Sequence, residues 1–446
     1  MTTHRHEGLR RRAPAALLLA AGLLAAGACR SPRAEQVGAG EVDTVPRPQA
    51  AGPPARVLPG IDVLLRDSLA LLRGRRVGLV TNQTAVTADG LSDADVLFAT
   101  PGVRLVALYG PEHGIRGTAE GGATVANGRD TKTGLPIFSL YGRTQKPTPE
   151  MLAGVDVLVF DIQDIGARPY TFVWTMALAM EAAAAQRIPF VVLDRPNPIT
   201  DLADGPLMQR EIRDQHVGQA ITGLYPVPLR HGMTSGEVAR YVNGEFHVGA
   251  DLHVVPAAGW TGDRWFDATG LRWIPPSPNI RTPDAALKYS GIVLAEATNL
   301  SVGRGTDAPF TYLGAPWMDA PAVLRRVAAY RLAGVRLDTV RVTPAAGADY
   351  GGRSMRAIRI TITDRDAFRP PYAALVLLTE IRRASPDSFK IGDPPGFTQM
   401  LGSRWAYDAF LRGTDPREID RRWQQELRAW MPVRAKYRIY PHAAAR

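Results

Sequence analysis

From residue 57 onward, the first half of the chain alternates two hydrophobic patterns. Short, nearly unbroken apolar runs occur at RRVGLVT (75–81), VRLVALY (103–109), VDVLVFD (155–161) and PFVVLD (189–194). Runs of this length with no polar face suit strands buried on both sides of a parallel sheet. Between them, 62–73, 91–99, 149–153 and the Ala-rich 173–187 read as helices. Strands alternating with helices predict a doubly wound α/β domain.

Each apolar run ends in a polar loop. The four strands lead into TNQT, GPEHG, DIQDIGARPYT and DRPNP. In an open parallel sheet the carboxyl ends of the strands line the ligand crevice. The first two loops contribute Asn82, Glu112, His113 and Arg116. The next two contribute Asp161, Gln163, Asp164, Arg168, Asp194 and Asn197. Cap and turn chemistry accounts for Asp or Asn in any one loop. Four such loops in succession point to one polar site.

In the second half, RHGMTSGE holds His231 and places Thr234 or Ser235 as the N-cap of a helix over 236–243. The apolar run 291–296 reads as a further strand ending at Glu296. A Gly-rich loop with Asn299, Arg304 and Asp307 follows. Gly303 and Gly305 flank Arg304, so this loop can approach a ligand closely. MRAIRITITDRDAF alternates as a half-exposed strand does, and 404–430 reads as helical with its tryptophans in the core.

Several chemistries find no support. No G-x-G-x-x-G follows the first strand and no P-loop occurs, so neither a dinucleotide nor a nucleotide cofactor is expected. The histidines between 113 and 253 lack zinc-ligand spacing, and no metal is expected. GMTSG misses the nucleophile-elbow spacing by one residue, which leaves Ser235 a capping residue.

Composition adds the compartment. Arg10, Arg11 and Arg12 precede an apolar stretch of small residues, which reads as a secretory signal over 1–28. The only cysteine, Cys29, follows at once, as in a bacterial lipobox whose cysteine carries lipid. Residues 29–56, rich in Pro, Gly and Ala, read as a flexible tether. The expectation is an exported, membrane-anchored lipoprotein at the periplasmic or cell-envelope face. The formal charge of +10 falls to about +7 without the signal. Outside the cytoplasm such a charge suits acidic wall glycan, and no nucleic-acid partner is expected.

GPEHGIRG, VFDIQDIGARPYT, LDRPNP, RHGMTSGE, PPSPNIRT and EATNLSVGRGTDAPF together resemble the exo-lytic peptidoglycan β-N-acetylmuramidases. The resemblance runs in order over 57–440, with Pro169 and Val302 departing from the usual pattern. It implies a Rossmann-like catalytic domain (57–229) and a smaller α/β C-terminal domain (230–446), with the active site in the cleft between them. It also implies release of N-acetylmuramic acid (MurNAc) from the non-reducing ends of peptidoglycan fragments, with Glu112 as the essential glutamate.

Glycoside cleavage needs an acid and support for an oxocarbenium-like transition state. Glu112 is the candidate acid. The second group stays open among Asp161, Asp164, Asp194, Glu296 and the substrate's own acetamido group. Arg116, Arg168 and Arg304 are candidate clamps for the lactyl carboxylate, because a planar guanidinium suits that group. The alternative reading is a lipoprotein that binds wall glycan without cleaving it.

Overall fold

The computed structural model describes residues 56–116, 127–212 and 221–442. The expected signal, Cys29 and the tether up to residue 55 lie outside them. The expected parallel strands form as β1 (Arg76–Thr81), β2 (Arg104–Gly110), β5 (Val157–Asp161) and β6 (Phe190–Leu193). Three further strands join their sheet: β3 (Gly128–Arg129), β4 (Pro136–Ser139) and β9 (Leu252–Val255). The order is β3-β4-β2-β1-β5-β6-β9, with every pair parallel except β3 and β4. The seventh strand, β9, lies beyond the boundary expected at 229.

Alternate residues of each strand enter different cores, which explains why the strands are apolar throughout. Val77, Leu79, Val157 and Val159 face one layer with Ile61, Leu64 and Leu97. Val80, Leu158, Phe160 and Val192 face the other, against the long helix α3 (Phe172–Ala185). The first layer is covered by α1 (Gly60–Val63), which continues as helical turns to Leu71, and by α2 (Asp93–Ala99). Residues 149–153 make turns instead of the expected helix.

The hairpin-like pair β7 (Asp204–Leu207) and β8 (Pro228–Arg230) leads to α4 (Ser235–Glu245). Thr234 caps α4 in a full capping box with Glu237, as one of the two expected alternatives. Helix α5 (Pro283–Ile292) follows, capped by Thr282. The strand expected over 291–296 is not formed. Those residues end α5 and continue as a 3₁₀ turn, Val293–Ala297. Every side chain from Ala285 to Ile292 is buried, so α5 shows no polar face to mark its helical period.

The remainder is a three-stranded antiparallel sheet and a helical layer. The sheet runs β10-β12-β11, from Tyr312–Gly314, Met355–Ile362 and Val335–Val342 respectively. α6 (Ala320–Val327) and α7 (Pro370–Ala384) pack beside it. α8 (Pro394–Leu401), α9 (Arg404–Leu411) and α10 (Pro416–Ala435) complete the chain. The expected single helix over 404–430 is thus two, broken where Asp415 caps α10 and Pro416 starts it. Among the described residues no helix is long and apolar enough to cross a membrane.

Candidate active site

The loop after β2 turns sharply because His113 (φ 71°) and Gly114 (φ 75°) both adopt left-handed backbone. The Gly114 amide closes the turn onto the Pro111 carbonyl at 2.9 Å. A non-glycine residue at positive φ is strained and is held there by its surroundings. The turn brings Glu112 to the wall of a cleft of about 350 Å³. Its Oε2 accepts a hydrogen bond from the Thr171 hydroxyl at 3.1 Å. Tyr141, just past β4, also bonds the Glu112 carboxyl; burial first, and then this carboxyl, push its pKa up to about 12. Tyr141 therefore stays a neutral donor.

The opposite wall comes from the second half of the chain. Tyr289 on α5, Glu296 on the 3₁₀ turn and Arg304 on the Gly-rich loop line the same cleft. Arg304 donates to Glu296 at 2.6 Å and lies over the Phe310 ring at 5.3 Å. Both Glu296 and Glu112 favour its charged form. A smaller pocket of about 70 Å³ opens off the cleft and shares Glu112, Thr171, Tyr289 and Arg304 with it. His113 lines this inner pocket.

Several expected site residues are elsewhere engaged. Asp161 does not reach the cleft: it is buried in an ion pair with Arg195, which also bonds Asp93. Burial, and then the charge of Asp161, hold the Asp93 carboxyl well above the usual range. This cluster fills the crevice between β1 and β5, where the strand order reverses, and the space beside it is only about 20 Å³. The ligand position that an open parallel sheet usually offers is closed. The cleft lies instead beyond β2 and β4.

Asp164 likewise serves the loop. Its Oδ2 accepts from the Gly166 amide at 2.6 Å and pairs with His231 Nε2 at 3.1 Å. His231 Nδ1 accepts from the Met233 amide at 3.2 Å, so its proton sits on Nε2. Gln163 donates to the Asp164 and Pro196 carbonyls, and Asn197 bridges Met233 and Ile199. Asn82 accepts from Thr84, and Asn299 ties the Ser388 carbonyl to the Lys390 amide. Asp194 accepts from Thr234, Gly236, Tyr440 and the Arg195 amide, anchoring the start of α4. These side chains bond mainly to their own loops, while Asn82 Nδ2 and Asp164 Oδ1 are buried without a hydrogen-bond partner.

The three arginines separate in the same way. Arg168 is 0% exposed and donates to the Gln399 and Met400 carbonyls at 3.0 and 2.8 Å, near the end of α8. Burial without a carboxylate partner pushes its pKa down to about 9. Arg116 pairs with Asp130 and Asp95. Among the described residues lining the cleft, Arg304 is the arginine. Tyr141, Thr171 and Tyr289 were not singled out from the sequence. Thr171 stands inside the GARPYT motif and could have been; Tyr141 and Tyr289 carry no local signal.

Comparison with known proteins agrees with this architecture. The family model for the N-terminal part of exo-β-N-acetylmuramidase NamZ matches residues 77–284, and that for its C-terminal part matches 287–440. The chain belongs to the NamZ family. The peptidoglycan β-N-acetylmuramidase NamZ of Bacillus subtilis (strain 168) is 40% identical over 386 residues, covering 86% of this chain and 92% of that protein. A solved DUF1343 family protein from Bacteroides fragilis NCTC 9343 superposes with a TM-score of 0.80 at 34% identity, over 86% of this chain and 99% of its own. A second from the same organism gives 0.71 at 26% identity, over 87% and 100%. The two NamZ models meet between 284 and 287, at the start of α5. Glu112 and Thr171 fall within the first match, and Tyr289, Glu296 and Arg304 within the second. Val302, the departure nearest Arg304, is buried in the main core.

Proposed function

We propose that this NamZ-family protein is an exo-acting glycoside hydrolase that releases MurNAc from the non-reducing ends of peptidoglycan fragments. The observation that carries the reading is the meeting of Glu112, Glu296 and Arg304 in one cleft built from both matched parts of the chain. Glu112 acts as the acid that protonates the glycosidic oxygen, with Thr171 and Tyr141 fixing its carboxyl. Glu296 is the second carboxylate of the cleft and faces the positive charge that develops on the sugar. Arg304 binds the lactyl carboxylate, a contact that distinguishes a muramyl from a glucosaminyl residue. The buried positions of Asp161 and Asp164 support their exclusion from these roles.

Incubation with MurNAc-β-1,4-GlcNAc and detection of free MurNAc tests the activity. Release of both sugars in equal amounts is expected, and an unchanged disaccharide would refute it. The envelope location is part of the same reading: a lipid-bearing Cys29 behind a signal peptide would hold the enzyme at the membrane. Cys29→Ala should then move it from the membrane to the soluble fraction. Retention of that variant on the membrane would refute the anchor.

A further inference from the structure

The cleft has two compartments of different character. The outer one is lined by Glu112, Glu296 and Arg304, a charged wall that suits a leaving sugar and a lactyl carboxylate. The inner one, about 70 Å³, adds His113, Tyr170, Ser277, Asn279, Ile280 and Phe310 to the shared residues. At about 70 Å³ against about 350 Å³ for the outer compartment, the inner pocket suits a substituent of the sugar better than the ring itself.

Its chemistry is equally restrictive. The residues that it adds bring no carboxylate, and Ile280 and Phe310 are buried apolar groups. The Tyr170 hydroxyl is buried and makes no hydrogen bond of full geometry, with Ser277 as its near, weakly placed partner. Burial keeps this phenol protonated, well above its ordinary pKa. A buried donor left without an acceptor is costly, and a ligand oxygen placed there would satisfy it. Ser277 accepts from the Asn279 amide at 3.3 Å, which folds the 277–280 loop against the pocket.

Position decides what enters. Glu112 lines both compartments, so the bond that it protonates lies at their junction. The carbon next to the anomeric centre then directs its substituent into one compartment. In N-acetylmuramic acid that substituent is a neutral acetamido group, with one acceptor, one donor and a methyl.

We propose that the inner pocket is the recognition subsite for the 2-acetamido group. The Tyr170 hydroxyl donates to its carbonyl oxygen, and Ile280 and Phe310 enclose its methyl. This assignment rests on the glycosidase reading above. The lactyl carboxylate stays in the larger outer compartment, where Arg304 lies beside Glu296, because the small inner pocket would strip its hydration.

The test uses chromogenic aryl β-glycosides of 3-O-lactyl sugars that carry N-acetyl, N-butyryl or plain hydroxyl at carbon 2. Tyr170→Phe removes one oxygen and keeps the ring; kcat/KM on the N-acetyl substrate should fall about tenfold, with little change on the 2-hydroxyl substrate. Ile280→Ala opens the far wall and should raise the N-butyryl to N-acetyl ratio about tenfold. Equal losses for Tyr170→Phe on both substrates, with acyl-length preference unchanged in Ile280→Ala, would overturn the subsite while the wild type stays active. A wild-type enzyme that cleaves none of the glycosides would instead overturn the glycosidase reading and the subsite with it.

Discussion

Arg168 and Arg304 stand in equally suggestive motifs, and the structure gives them opposite surroundings, from which a paired substitution should draw opposite effects. Arg168→Met removes two charge-assisted hydrogen bonds to the Gln399 and Met400 carbonyls. Each is worth about 1.5–3 kcal/mol. Relief of the buried charge offsets part of this, which leaves a net loss of about 3 kcal/mol. With an unfolding entropy of about 2.1 cal/mol/K per residue over roughly 390 residues, Tm should drop by about 4 °C. Arg304→Met breaks the bond to Glu296 and the contact of the guanidinium with the Phe310 ring, and the Arg304 side chain is 40% exposed. Solvent screening limits that cost to under about 1 kcal/mol, so Tm should move by about 1 °C at most. Its effect belongs in kinetics. Loss of a charge-assisted bond to the lactyl carboxylate should lower kcat/KM on a muramyl glycoside by about 10–100-fold. On the lactyl-free N-acetylglucosaminyl glycoside the loss should stay within about threefold. Calorimetry and initial rates on both substrates read the pair. Arg168→Met at wild-type Tm with impaired substrate binding, or Arg304→Met with equal losses on both glycosides, would refute the assignment.

Two other outcomes follow from the geometry. Thr234→Ala removes the capping box of α4 and the hydroxyl that donates to Asp194 at 2.7 Å; urea denaturation should show a loss of about 2–3 kcal/mol, and Thr234→Ser should recover most of it. Dialysis against a chelator should leave turnover unchanged, because the carboxylates of the cleft are engaged by Thr171 and Arg304 and the proposed chemistry needs only carboxyl groups; loss of activity restored by one added metal would contradict that.

The strands β1, β2, β5 and β6 were legible because burial on both faces leaves a continuous apolar run that no exposed element can carry. β4 and β9 were not, since PIFS and LHVV are too short and too mixed to stand out, and topology alone places them in the sheet. The run 291–296 misled for a related reason: an element buried on every side has no period, and only the Thr282-Pro283 start signal marks it as a helix. At the site, Glu112 and Arg304 could be read from their turn chemistry. Tyr141 could not, because its place beside Glu112 depends on β4 pairing with β2. Asp161, Asp194, Asn197 and Arg168 were misplaced because a polar side chain at a strand end looks the same whether it meets a ligand or a loop carbonyl. The structure shows that these meet the protein.

The central claim is that Glu112 is the proton donor, and Glu112→Gln tests it most directly. The amide keeps the shape and the contact with Thr171 but has no transferable carboxyl proton. General acid catalysis contributes about 10²–10⁴-fold, so release of MurNAc from MurNAc-GlcNAc should fall by at least about 100-fold while the disaccharide still binds. An aryl MurNAc glycoside with an acidic phenol as leaving group needs little protonation, and on it the variant should regain part of its rate. Full activity of Glu112→Gln on the disaccharide, or an equal loss on both substrates, would contradict the account.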